Sequence, residues 1–268
     1  MNKLFITLLL GLSLISSSSW SADFDKGFAA YNSGDFATAL REFTPLAEQG
    51  NASAQQGLGL MYTRGEGVLQ DYKTAVKWYT LAAEQGDAIA QYNLGVIYDN
   101  GEGIPQDDKT AAKWYTLAAE QGDASAQYNL GLMYFDGEGV LQDYKTAAKW
   151  FRLAAEQGDA SAQFNLALMY EDGEGVLQDD KTAVKWYRLA AEQGDAKAQT
   201  NLGVMYAKGD GVIADKVYAH MWGNIGSSNG NENGGKLRDF LSKEMTSSQL
   251  EKAQDLAREC VAKNYKGC

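Results

Sequence analysis

Apolar residues recur at helical spacing along most of the chain, and they do so in pairs of short segments. In "DASAQYNLGLMY", Asp123 to Tyr134, the stripe is Ala126, Leu130, Met133 and Tyr134, which share one face of a helix. Asp123 stands where an N-cap carboxylate accepts orphan N–H groups of the first turn. "DGEGV" then interrupts the pattern. A second stripe follows in "DYKTAAKWFRLAAEQ", where Ala147, Phe151, Ala154 and Ala155 share a face and Trp150 lies beside it. Asp143 is its N-cap, and Gly158 stands where a helix takes a left-handed residue just past its end. The pattern predicts a helix pair, A then B, joined by a glycine-rich turn.

This pair repeats every 36 residues without insertion, as units 51–86, 87–122, 123–158, 159–194 and 195–230. Trp78, Trp114, Trp150, Trp186 and Trp222 occupy one equivalent place in each unit, and the only other tryptophan is Trp20. Two short helices cannot bury such a stripe alone, but stacked neighbours can. The expected architecture is an all-α, right-handed superhelical solenoid with a concave and a convex face.

Residues 22–50 and 231–268 are expected to close its ends. The front segment aligns with the repeat through Asp35, Ala39 and Gly50, with a shorter turn, and Glu42 stands where the repeats carry tryptophan. That exchange suits a solvated outer face. At the back, "NENGGKLRDFLSKEM" supplies one helix. Thr246 with Gln249 then forms a capping box opening a last helix that buries Leu250, Ala253, Ala257 and Cys260. Gly59, Gly95, Gly131 and Gly203 lie mid-helix, where glycine costs about 1 kcal/mol against alanine. Their recurrence predicts a close helix–helix crossing, with Ala167 showing that a methyl group is admitted in the fourth unit.

The first residues lie outside the repeat. Lys3, the apolar run Leu4 to Ile15, and Ser19 and Ser21 at the −3 and −1 positions form the pattern of a secretory signal peptide over residues 1–21. The run is too short to span a bilayer. Cleavage near Ser21 or Ala22 leaves a periplasmic or secreted protein with no membrane insertion. The net charge of −11 repels phosphate backbones and anionic lipid, which makes nucleic acid and membrane surfaces poor partners. Cys260 and Cys268, the only cysteines, are expected to pair in an oxidising compartment.

Taken together, the recurring alanines, the A-Q pair, L-G, Y, G-x-G-V, D, W-[YF] and A-A-x-Q-G of each unit resemble the Sel1-like repeat, a relative of the tetratricopeptide repeat. The resemblance covers nearly the whole chain past residue 21. It implies a scaffold for protein–protein contacts, with helix A lining the concave face, and it implies no cofactor. Some exported, cysteine-rich Sel1-like proteins are described as β-lactamases, so an exported β-lactamase or other cell-wall-directed hydrolase is the alternative. This chain lacks a cysteine pair per repeat, and no serine has a lysine three residues later. Thr74, Thr110, Thr146 and Thr182 have that spacing to a lysine, but as surface positions of helix B. The one histidine, His220, suits a surface or packing role.

"GEG" at Gly65–Gly67, Gly101–Gly103, Gly137–Gly139 and Gly173–Gly175 reads as a turn with left-handed residues, since an acid between glycines disfavours phosphate. The acidic loops match no calcium-loop spacing, so no metal is expected. What remains is a ladder on helix A: Tyr92 and Asn93, Tyr128 and Asn129, Phe164 and Asn165, then Thr200 and Asn201. The aromatic rings offer rigid contact area, and related repeats use the asparagine to hold a bound peptide. The same residues also suit packing and hydrogen bonding between repeats. The first unit interrupts the row with Gln56 and Gly57.

Overall fold

The computed structural model describes residues 22–268; the leader expected over 1–21 lies outside them. The described residues form fourteen α-helices and no strand. α1 (Phe24–Asn32) and α2 (Phe36–Glu48) come first. Five A helices follow: α3 (Ala52–Arg64), α5 (Ala88–Asn100), α7 (Ala124–Asp136), α9 (Ala160–Asp172) and α11 (Ala196–Lys208). They alternate with the B helices α4 (Tyr72–Glu84), α6 (Asp108–Glu120), α8 (Tyr144–Glu156), α10 (Asp180–Ala191) and α12 (Lys216–Ser228). α13 (Glu232–Ser242) and α14 (Ser247–Ala262) end the chain. Each helix packs on its sequence neighbour through the repeats, which makes an all-α solenoid.

The boundaries follow from local chemistry. Asp123 and Asp143 accept from the backbone N–H of Ala126 and Thr146, satisfying orphan donors of the first turn. Thr246 and Gln249 close a reciprocal capping box on α14. Gly175, the second glycine of its turn, has φ +69°, and a Cβ there would overlap the Tyr144 carbonyl of the preceding unit. The turn therefore seats its backbone directly on the repeat before it.

Repeats are joined by apolar burial. Leu94, Leu130, Leu166 and Leu202 are fully buried. Trp78, Trp114 and Trp150 each reach back one unit: Trp150 of α8 closes the cluster of Ala111, Tyr115, Leu130 and Met133. A second connection is polar. Gln127 is buried, donates from Nε2 to the Ala119 carbonyl at 3.1 Å, and accepts from Gln157 Nε2 at 2.8 Å. Gln55, Gln91, Gln163 and Gln199 repeat the arrangement on Ala47, Ala83, Ala155 and Ala191. This glutamine column satisfies carbonyls at the end of one B helix from the next A helix, a role required of any buried helix terminus.

Three expectations change. Space at the mid-helix glycines is taken mainly by rings, since a Cβ on Gly95 or Gly131 would lie 2.5 or 2.6 Å from the ring of Tyr115 or Phe151. Only at Gly203 is the near neighbour backbone, the Ala219 carbonyl at 3.0 Å. Glu42 is buried, not solvated: Lys26 of α1 binds its carboxylate at 2.7 Å and holds it below the usual carboxylate range. Leu250 is only partly buried, while Ala253, Ala257 and Cys260 are covered.

Cys260 and Cys268 form a disulfide across a Cα–Cα distance of 5.6 Å. Tyr265 turns back so that its hydroxyl meets Asn229, 3.1 Å from Nδ2. Alkylation in denaturant without reductant is expected to label neither thiol of the purified protein. Two alkylated cysteines by mass spectrometry would contradict the pairing.

Candidate functional site

The rings of the ladder are half-buried and sit on the aromatic residue of the B helix in the same unit. Tyr92 lies 6.0 Å from Tyr115, Tyr128 5.9 Å from Phe151, and Phe164 5.9 Å from Tyr187, centroid to centroid in tilted pairs. Their outer ends face the following unit. The Tyr92 hydroxyl interacts with Ser125 and Asn129, and that of Tyr128 with Asn165 and Ser161. Burial raises both phenols above their ordinary range.

The asparagines also serve the packing. Asn201 donates to the Tyr187 hydroxyl at 3.0 Å, and that hydroxyl donates to Glu171 at 2.6 Å. Tyr115 likewise donates to Asp99 at 3.2 Å and interacts with Asn129. Burial, then the neighbouring carboxylate, lifts the Tyr187 phenol far above its ordinary range. Thr200 is buried; its hydroxyl donates to the Ala196 carbonyl at 2.9 Å, and Gly226 and Gly234 press against it. The open row is therefore Tyr92, Tyr128 and Phe164, with Asn93 half-buried beside its start. At its far end Tyr128, Ser161, Phe164, Asn165, Asp195 and Lys197 line a cleft of about 280 Å³. Lys197 Nζ stands 5.9 Å from the Phe164 ring centre.

The five units match the Sel1 repeat at residues 52–87, 88–123, 124–159, 160–195 and 196–231. The chain belongs to the Sel1 repeat family. Among solved structures, a Sel1 repeat protein from Oxalobacter formigenes is 38% identical over 78% of this chain and 86% of its own, with a TM-score of 0.74. The protective antigen c5321 of uropathogenic Escherichia coli, which displays an SLR fold, is 27% identical over 90% and 77%, at 0.44. A Sel1 repeat protein from Klebsiella pneumoniae is 24% identical over 75% and 97%, at 0.45. No curated protein matches. Sel1 repeats generally mediate protein–protein interaction as non-catalytic scaffolds.

The one histidine does have a hydroxyl nearby. His220 is buried in α12, with Nε2 3.1 Å from Ser242 Oγ, but Ser242 donates its proton to the Arg238 carbonyl at 2.8 Å. The serine can then only accept from the imidazole, which is the reverse of what a nucleophile needs. No acid orients Nδ1, which has no hydrogen-bond partner. Burial lowers the imidazole pKa. The pair is a packing contact of α12 with α13. Among the described residues no group of three or more His, Cys, Asp or Glu is placed to hold a metal ion.

Proposed function

We propose that this Sel1 repeat protein is a non-catalytic adaptor of the cell envelope, binding a peptide or protein partner along the A-helix side. The observation that carries the reading is the row Tyr92, Tyr128 and Phe164, half-exposed in successive units and ending in the Tyr128–Phe164–Asn165 cleft. Rings already fixed on B-helix aromatics bring contact area with little further entropy to lose. The A helices touch one another, α3 with α5 and α5 with α7, as expected on the inner side of a curved stack. The envelope location rests on the leader pattern of residues 1–21 and fits the Cys260–Cys268 disulfide.

The test begins with peptides selected on the purified protein from a displayed random library. Replacing Tyr128 and Asn129 together by Ala is expected to weaken the selected peptide about tenfold, the range of a modest hot spot. Unchanged Kd in a folded variant would remove binding from the ladder and leave it as packing between repeats.

A further inference from the structure

The third unit departs from both neighbours in one way, units three and four together depart from the rest in another, and the two fall at one place. Units two and four carry a polar chain between helices: Asn129, Tyr115 and Asp99 in one, and Asn201, Tyr187 and Glu171 in the other. At the equivalent positions of unit three stand Asn165, Phe151 and Phe135. The buried hydroxyl and its carboxylate are thus replaced by two rings, 6.5 Å apart between centroids. Asn165 keeps the Tyr128 hydroxyl, but on its B-helix side it shares the lining with the Phe151 ring where its counterparts meet a phenol.

At this place lies a half-enclosed cavity of about 200 Å³ between α7 and α9. Leu132, Phe135, Phe151, Leu168 and Met169 form its apolar lining, and Asn165 separates it from the Tyr128–Phe164 cleft. An apolar cavity of about 150 Å³ is enough to hold a benzene ring.

The second departure is charge. Asp136 and Asp172 stand at the rim with Glu174. Both aspartates are exposed, and each is the last residue of its A helix. The equivalent positions of the other units are Arg64, Asn100 and Lys208. Carboxylates at helix C-termini add to the negative end of the helix dipole, so this placement is unfavourable for the helices themselves. None of the three carboxylates makes an ion pair among the described residues. A rim so charged concentrates cations beside an apolar opening.

We propose that the cavity between α7 and α9 is an anchor pocket for one aromatic or large aliphatic side chain of the partner, adjacent in that partner to Lys or Arg. The assignment rests on the reading that the A-helix side takes a partner, and it names the chemistry of that partner. The apolar side chain displaces water from the Phe135–Phe151–Met169 lining, while the neighbouring cation meets Asp136, Asp172 and the two helix ends. An acidic segment is repelled from the same rim.

The test uses two dipeptide probes, acetyl-Phe-Arg-amide and acetyl-Phe-Glu-amide, titrated into protein carrying 13C-methyl methionine. Met169 is buried in the lining, and its methyl signal, assigned by Met169→Leu, reports occupancy. The expected result is a saturable shift with the arginine probe and affinity weaker by about fivefold or more for the glutamate probe. The double variant Phe135→Asp, Phe151→Tyr rebuilds the polar chain of the adjacent units; it is expected to fold and to lose the shift. Asp136→Asn with Asp172→Asn, both on the surface, is expected to keep the shift and erase the preference. Absence of a Met169 shift overturns the pocket, and equal affinity for both probes in the wild type overturns its cationic specificity. These dipeptides do not span to Tyr92. Selected peptides indifferent to Tyr128 and Asn129 would thus refute the ladder, whereas a silent Met169 refutes this pocket.

Discussion

Replacing Trp150 by Ala is expected to lower the unfolding free energy by about 3–5 kcal/mol, the range for deleting a large buried aromatic. The indole is nearly covered, closes the cluster of Ala111, Tyr115, Leu130 and Met133, and carries Lys149 Nζ 5.1 Å from its ring centre. Its loss removes apolar burial between units two and three, so the solenoid is weakened at a junction. Repeat arrays behave as units plus nearest-neighbour interfaces, and a weakened junction separates the two halves. Urea unfolding is therefore expected to broaden or split into two steps while the circular dichroism of the native protein stays helical. A single transition displaced by less than about 1 kcal/mol would show that the tryptophan is not what joins the units.

The second large effect concerns a polar group. Gln127→Leu keeps most of the side-chain volume but removes the amide that meets the Ala119 carbonyl and the Gln157 amide. The carbonyl then keeps only backbone donors at the covered helix end, among them Gly122 N–H at 3.0 Å, and loses its side-chain donor, a cost of about 1 kcal/mol. Gln157 is exposed and can turn to water, so its share is small. Gln157→Ala is accordingly expected to cost well under half as much as Gln127→Leu in urea unfolding. If the two variants lose equal stability, the column acts through Gln157 contacts and not through the helix-end carbonyl.

Much of this fold is legible in the sequence because helix pairs obey local rules. The aspartates that open helices, the glycines that end them and the one tryptophan per unit each act within a turn or a stripe. What escaped notice depends on partners distant in sequence. Glu42 sits where a tryptophan is usual, and nothing near it announces that Lys26 of α1 will bind it in the interior. The glutamine column had a readable signal, since a glutamine pair 30 positions apart, Gln127 and Gln157 in unit three, recurs within each of the first four units. An amide adds nothing to a hydrophobic stripe, so periodicity alone passed over it. At the ladder the residue types were readable, but their engagement was not. Asn201 is held by Tyr187, a contact set by how α10 leans on α11. Ser242 beside His220 likewise comes from the fold, and its proton, given to Arg238, turns this pair away from the arrangement of a nucleophile and its base.

Partners that meet the A-helix side, as proposed, must touch the A helices and leave the B helices free. A photoreactive phenylalanine analogue placed singly at Tyr92 or Phe164, and in separate proteins at Lys113, Lys149 or Lys185, measures this directly. Those three lysines are exposed on the B helices beside their tryptophans. Irradiation with a peptide selected on the wild-type protein is expected to give adducts from positions 92 and 164 and none from the three lysine positions. Adducts confined to the lysine positions would place the partner on the B helices and contradict the account.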